Sequence, residues 1–517
     1  MTRLLLIALS LLWIQLQAQN DSQNLLIKNI TIISANTNGI TSQVGNVTIA
    51  DENIIYVSKE EPKKSDYYQV IDGKGKYLIP GLIDSHVHLA NTAGFNGTLK
   101  NKYPDLVQLY FDQLPRSYLY FGFTTLIDVN NYDPKLINRL LDTEIRPDIY
   151  TCGEQVAVMD DFSMEMEGYS PQERYDSNFL NDIYNSKISL PDTIPPEEHT
   201  PQKIIKKIRE QSGICVKLVY EDEASGLAVT WAKPTTHILR DLIAEAQEFQ
   251  LPLILHAPSL EGHQIGLETG VQIFAHGLWN WSADPKDFRN RDLSEIHKNV
   301  LLQIAKKEQI AYQLTFRTIT GEQDLICSDF LKDKNLEHVY PKSYLDLLKT
   351  EEGLWGKNKI FGRSEFLKET NPEFYDALRD NHTSDQEMWE EAMEIYRHRL
   401  NTVGRFLAEN NAYLILGTDT PAMNMYTNPP GYNGIIEMRN WYEAGIPLEL
   451  IFAAATFNNA IAFNLQNLYG SVEKDKIANL LILNSNPLLN VEAYNDIDLV
   501  IIRGDIIERN QLSALEN

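Results

Sequence analysis

The sequence predicts an α/β protein, a (β/α)8 TIM barrel with a small β-sandwich domain formed by both termini. Apolar strand-like runs alternate with helix-like stretches through the middle of the chain, and eight such runs can be counted. The two ends read as short β-strands with turns. An open doubly wound sheet is the alternative, but no Gly-rich phosphate turn opens any unit.

In chain order, "MTRLLLIALSLLWIQLQAQN" has Arg3, an apolar run from Leu4 to Trp13, and a small residue at Ala18. This is the pattern of a secretory signal peptide over residues 1–18, too short for a bilayer span of about 20 residues. No cysteine follows the break, which argues against a lipid anchor. The expectation is an exported chain, periplasmic or secreted, with no integral membrane segment after signal removal. Residues 19–78 carry "LLIKNITIISA" and "GNVTIADENIIYVS", whose alternation and β-branched residues give the N-terminal part of the sandwich. Residues 79–465 form the barrel. After the run that carries His86, its strands are read at Gly122–Val129, Arg146–Gly153, Gly213–Tyr220, Leu251–Ala257, Val271–Gly277, Ile310–Phe316 and Ala412–Thr420. Between two of them, "THILRDLIAEAQEFQ" places Ile238, Leu242, Ile243 and Ala246 on one helical face. Insertions at about 159–202 and 317–399 follow strands and would rise over the barrel's C-terminal face, as a cover for a site or as surface decoration. Residues 466–517 return to strands and complete the sandwich.

The 517-residue chain has 46 basic and 71 acidic residues, a net charge of −25. A phosphate backbone or an anionic membrane surface would be repelled, so nucleic acid is excluded as a partner and a small-molecule substrate is expected. The three cysteines, Cys152, Cys215 and Cys327, show no CxxC spacing. One bridge among them is open, but core thiols are the expectation.

The chemistry gathers at strand ends. His86 and His88 in "YLIPGLIDSHVHLANT" are two apart, so both point to one face at the C-terminal end of a strand. Two neutral imidazoles there can hold a divalent cation. His256 ends "LPLILHA", His276 ends "VQIFAHG" and Asp419 ends "LILGTDT", each closing an apolar run where an unpartnered polar group would be costly. Lys217 sits inside the apolar run "CVKLVYED". It reads either as a snorkelling or ion-paired lysine, or as a neutral amine that takes up carbon dioxide to become a metal-bridging carbamate. His237, His297 and His398 fall in helix-like stretches and are expected at the surface; His263 is expected to be structural. Tyr220 is a candidate substrate contact, and Trp279 and Trp281 in "GLWNW" are candidate apolar walls or core residues.

With "PGLIDSHVHL", "HA" at 256, "AHG" at 275–277, "GTDT" at 417–420 and the tail "AAATFNNAIAFNLQNLYGSVEKDKIANLLILNSNPL", the chain resembles the amidohydrolase superfamily, within it the imidazolonepropionase-like branch that includes metal-dependent prolidases. The likeness covers nearly the whole mature chain except the two insertions. The resemblance implies a barrel plus a sandwich from both termini. It implies that His86 and His88 ligate the more buried metal, that Lys217 bridges as a carbamate, that His256 and His276 ligate a second metal, and that Asp419 touches the first metal and handles protons. An acidic residue usual in the tail of such proteins is Asn479 here. The cofactor expected is two zinc ions, with manganese or iron also suited to nitrogen and oxygen donors. The activity implied is hydrolysis of a C–N bond, amide or peptide-like, by metal-activated hydroxide, with Asp419 and His276 catalytic. A lactone or ester hydrolase on the same site, and a non-catalytic exported binding protein, are the alternatives.

Overall fold

The structure, a computed structural model, describes residues 24–60, 62, 69–159, 161–166, 178–185, 190–222, 231–282 and 284–515. The signal segment read at residues 1–18 lies outside them. Strands β1 Asn24–Asn36, β2 Gly39–Ala50, β3 Asn53–Ser58, β4 Gln69–Asp72 and β5 Tyr77–Pro80 open the chain. They are followed by β6 Leu82–Val87, β7 Phe123–Asp128, β8 Asp148–Thr151, β9 Ala157–Val158, β10 Phe179–Leu180, β11 Val216–Val219, β12 Leu253–His256, β13 Ile273–Ala275, β14 Ala311–Gln313 and β15 Tyr413–Ile415. The chain closes on β16 Leu480–Leu483, β17 Ile497–Ile502 and β18 Asp505–Glu508.

Both ends of the chain share one sheet, in the order β18-β17-β16-β5-β1-β2-β3, with β4 pairing β1. Strand periodicity divides its side chains. Leu480 and Ile482 join Leu78, Ile32, Val47 and Ile501 in a core of the sheet's own. Leu481 and Leu483, one residue out of phase, join Ile79, Ile497 and Val500 in the large core shared with the rest of the molecule. The alternation in "ANLLILNSNP" therefore builds a small core and fixes the sheet to its neighbour.

The eight remaining long-range strands are parallel and neighbour each other in sequence order, β6-β7-β8 and β11-β12-β13-β14-β15. Between these two groups Ile214 N donates to Thr151 O at 2.8 Å and Val156 N to Lys217 O at 2.8 Å. At the other edges Ser85 N donates to Leu416 O at 3.1 Å, Asp419 N to His86 O at 2.8 Å and His88 N to Thr420 O at 2.7 Å. Ile83, Ile127, Val129, Ile254, Ile273, Ala311 and Ile415 pack together between the strands. The architecture is a TIM-barrel-like α/β fold with an additional sheet. The helix Thr236–Glu248 buries Ile238, Leu242, Ile243 and Ala246 as its spacing predicts, and Thr235 caps its N-terminus.

The segment from Arg317 to Arg399 forms a set of helices, among them Arg317–Cys327, Lys342–Leu348, Trp355–Thr370 and Asp385–Glu409. They are bolted to the loops that follow His88 and Asp419. Tyr344 Oη donates to Ala93 O at 2.8 Å and Trp355 Nε1 to Gly94 O at 2.7 Å. Tyr340 Oη donates to Tyr426 O at 3.2 Å. The stack of Phe95, Tyr110, Tyr340 and Tyr344 rings fills the space beneath. Of the first insertion, the described residues give the β9–β10 pair and the short helix Phe162–Met166.

Two expectations are corrected. Cys152 and Cys215 are not separate core thiols but a disulfide, with S–S at 2.06 Å. The bond from Ile214 N to Thr151 O sets their Cα atoms 4.4 Å apart, a juxtaposition that 63 residues of sequence separation conceal. His297 is not a surface group. It is buried at the third position of the helix Glu295–Ala305 and completes a capping box with Ser294. His263 is structural as expected, bonded to Ser259 O at 2.8 Å and Tyr312 Oη at 2.7 Å.

The disulfide closes a loop of 63 residues, which in the chain-entropy description stabilises by about 4 kcal/mol. Replacing Cys152 and Cys215 together by serine is expected to lower unfolding free energy by about 2–5 kcal/mol in urea titrations. In unreduced wild-type protein a thiol reagent is expected to titrate Cys327 alone, even after denaturation; three reactive thiols would contradict the bridge.

Candidate metal centre

The strand ends bring the six polar residues together. His86 lies in β6 and His88 just beyond it, and their ring centroids are 5.6 Å apart. Asp419 Oδ1 sits 2.8 Å from His88 Nε2 and 3.3 Å from His86 Nε2. The Lys217 amine is 3.3 Å from the same His86 Nε2. The His276 ring is 5.1 Å from that of His86 and 4.4 Å from that of His256. The chain turns sharply to aim these groups. His276 (φ +74°), Thr315 (φ +43°) and Asp419 (φ +58°) all adopt the left-handed region at their strand ends, a backbone state that costs non-glycine residues free energy and that clusters at functional sites.

Each of three imidazoles has one nitrogen fixed by a neighbour. His86 Nδ1 meets Gln313 Oε1 at 2.9 Å, His276 Nδ1 meets Thr315 Oγ1 at 2.9 Å, and His256 Nε2 meets Glu221 Oε2 at 2.8 Å. Among the described residues, the other nitrogens of His256 and His276 have no hydrogen-bond partner. Gln313 is itself held by donating to Ser85 O and Oγ at 3.1 and 2.8 Å.

Electrostatics favours neutral rings and an ionised Asp419. Burial lowers His86 to about 4 and His256 to about 3, with the Lys217 charge adding to both, and burial holds His276 well below its ordinary range. Burial alone would raise the Asp419 carboxyl, but hydrogen bonds from His86 and His88 outweigh it and hold the group well below the usual carboxylate range. Burial lowers the Lys217 amine to about 7. Burial raises the Glu221 carboxyl well above its ordinary value, and the neighbouring Asp222 adds to this.

These donors fit a divalent metal. His86, His88 and Asp419 offer ligand atoms within 4.8 Å of one another. The 3.3 Å separation from His86 Nε2 to Asp419 Oδ1 is close to the edge, about 3.4 Å, of a tetrahedron with bonds of about 2.1 Å, while the 2.8 Å from His88 Nε2 is a hydrogen-bond length. Near this group, His256 and His276 each keep one ring nitrogen without a hydrogen-bond partner among the described residues.

Tyr220 is buried, and its hydroxyl donates to Glu261 Oε1 at 2.6 Å. Trp279 lies 5.7 Å from the His276 ring, whereas Trp281 is packed at 4.7 Å from the Arg399 guanidinium. Glu221, Gln313 and Thr315 were not singled out from sequence. Their one signal is shared with the six: a polar residue in or just past an apolar strand.

The family model described as "Amidohydrolase family" matches residues 330–507. A 5-methylthioadenosine/S-adenosylhomocysteine deaminase of Halalkalibacterium halodurans is 35% identical over 66 residues, 12% of this chain and 15% of its own. A putative adenine deaminase of Oceanobacillus iheyensis is 34% identical over 67 residues, 13% of this chain and 11% of its own. The chain thus spans 15% or less of the length of these two relatives. Among solved structures, a Xaa-Pro dipeptidase with bound methionine in the active site covers 94% of this chain and 100% of its own, at TM-score 0.60 and 17% identity. Molinate hydrolase covers 95% and 96%, at TM-score 0.63 and 17% identity. A. niger ochratoxinase covers 95% and 96%, at TM-score 0.59 and 16% identity. The likeness to the amidohydrolase superfamily read from the motifs is borne out. The fold is shared with that Xaa-Pro dipeptidase and with a putative prolidase from Bifidobacterium longum.

Burial of Lys217 has a pH signature in the metal-free protein. The unfolded chain keeps this proton up to about 10.5, the folded chain releases it above about 7. Between those values the unfolded state binds more protons, so stability rises with pH. After chelation, in buffer free of carbon dioxide, urea midpoints are expected to climb more steeply between pH 7 and 9 in wild type than in Lys217→Met. Parallel slopes would show that the amine is not buried.

Proposed function

We propose that the chain is an exported metal-dependent hydrolase of C–N bonds, amide or peptide-like, built on a closed (β/α)8 barrel with a two-ended sandwich. The domain division at 19–78, 79–465 and 466–517 belongs to this reading. The observation that carries it is the convergence of His86, His88, Lys217, His256, His276 and Asp419 at neighbouring strand ends. Closure is supported by the bonds from Ser85, His88 and Asp419 that join the first and last parallel strands. Export is supported by the N-terminal segment and by a disulfide, which fits an oxidising compartment.

His86, His88 and Asp419 would hold one divalent ion, and His256 and His276 a second, with Lys217 as carbamate between them. Zinc suits this donor set, and manganese or iron would be accepted. Bound there, such ions supply Lewis acidity to a carbonyl oxygen and lower the pKa of water to about 7. The protein does the rest. Asp419 is ionised, so it accepts a proton from the attacking water. Oδ2 is the oxygen turned to this role; among the described residues its partner is Thr318 Oγ1 at 3.4 Å. The same carboxyl then delivers that proton to the departing nitrogen, which leaves as a neutral amine. Phe162 stacks 6.0 Å from His256, Trp231 packs 5.0 Å from Phe162, and Trp279 flanks His276. This apolar side suits a substrate with an apolar group beside the scissile bond.

Zinc- and manganese-loaded protein is expected to turn over N-acyl amino acids or dipeptides faster than lactones. Asp419→Asn is expected to cut kcat by about 100- to 10,000-fold, and His86→Ala to lose metal as well as turnover. Unchanged turnover in either variant would refute the assignment. Protein fed carbon-13 bicarbonate is expected to show a carbamate resonance that Lys217→Ala lacks.

A further inference from the structure

Glu221 stands two residues beyond the strand that carries Lys217, near the end of the run "CVKLVYED". The pairing of β11 with β12 places it. Val219 is in register with His256, and Tyr220 N donates to His256 O at 2.9 Å, so the next residue turns in beside the His256 ring. Glu221 Oε2 then lies 2.8 Å from His256 Nε2, and Asn280 Nδ2 approaches Oε1 at 3.5 Å. Among the described residues, no lysine or arginine pairs with this buried carboxylate. A buried carboxylate without a cation is costly unless its hydrogen bonds serve a charge nearby.

We infer that Glu221 is a positioning residue: it accepts the Nε2 proton of His256, fixes that tautomer, and thereby presents Nδ1 as the donor to the second metal ion. This rests on the two-metal reading above. Burial raises the Glu221 carboxyl in the ion-free site, and a cation held through His256 would favour its ionised form. A carboxylate can only accept, so with the ion bound the ring proton sits on Nε2, and a neutral ring then carries its lone pair on Nδ1. Gln313 and Thr315 hold His86 and His276 by the same device. Glu221 differs from them in being an acid.

The test uses the full mature chain, stripped and retitrated with zinc, with stoichiometry read by calorimetry and elemental analysis. Wild type is expected to take two ions. Glu221→Leu is expected to keep the first and to bind the second about 10- to 100-fold more weakly, the usual cost of losing such a partner. Glu221→Gln still offers a carbonyl oxygen at the same reach, and is expected to stay within a few-fold of wild type. Glu221→Asp keeps the charge but falls short of Nε2; it is expected to weaken the second ion as Glu221→Leu does, and serves if the leucine variant fails to fold. Wild-type affinity for the second ion in both Glu221→Leu and Glu221→Asp would overturn the inference. So would a loss in Glu221→Gln as large as in Glu221→Leu, because the carboxylate would then act by charge rather than by holding the ring. Wild type that takes up no zinc would defeat the metal reading itself, a result distinct from two ions bound alike by all variants.

Discussion

The structure turns on the seam between the first and eighth parallel strands. Asp419 N donates to His86 O, and His88 N donates to Thr420 O. The backbone ladder that joins these strands is therefore the device that brings three candidate ligands to one point. Side chains on a strand alternate between faces, so a slip of one residue would turn both histidines away and leave Asp419 buried without a partner. The same register buries Asp84, which accepts from Thr418 Oγ1 and from the backbone N–H of Thr418 and His86. Site geometry and strand pairing are one constraint here.

Around that seam the polar groups hold each other in place. Each imidazole fixed through one nitrogen has its ring orientation set, which is what a ligand needs before an ion arrives. The helical segment after β14 adds a roof. Its first helix places Thr318 against Asp419, and one turn later Glu322 takes a bidentate ion pair from Arg363 at 2.7 and 2.8 Å. Arg363 in turn reaches Met423, four residues past Asp419. A segment that could have been surface decoration is thus tied to the loops that carry the ligands.

The strand ends were legible because a histidine, lysine or aspartate closing an apolar run is conspicuous, and the same pattern recurred on separate strands. The order of the parallel strands followed from their order in the chain. The partners were not legible. Gln313 is visible in "AYQLTF" as a lone amide, but only the pairing of β14 with its neighbours shows that it faces His86. Glu221 looks like the start of an acidic loop. The Cys152–Cys215 bridge depends on adjacency between strand ends that spacing does not encode. His297 reads as a helix-surface residue until the position of Ser294 shows it closing a cap.

The two-ended sheet sets an order of events on the ribosome. Strand β5 runs through Pro80 into the turn that launches the first ligand strand, and its partner on one side is β16, where Leu480 pairs with Pro80. That partner is made four hundred residues later, by the sequence positions of the pairing. The start of the chain can therefore pair β1 to β5 among themselves, but this edge of the sheet waits for the end. Contacts this distant in sequence are slow to form and exposed to misassociation until they do. The seam that organises the chemistry joins His86 to Asp419 in the same way, so it too can close only once most of the chain has been made.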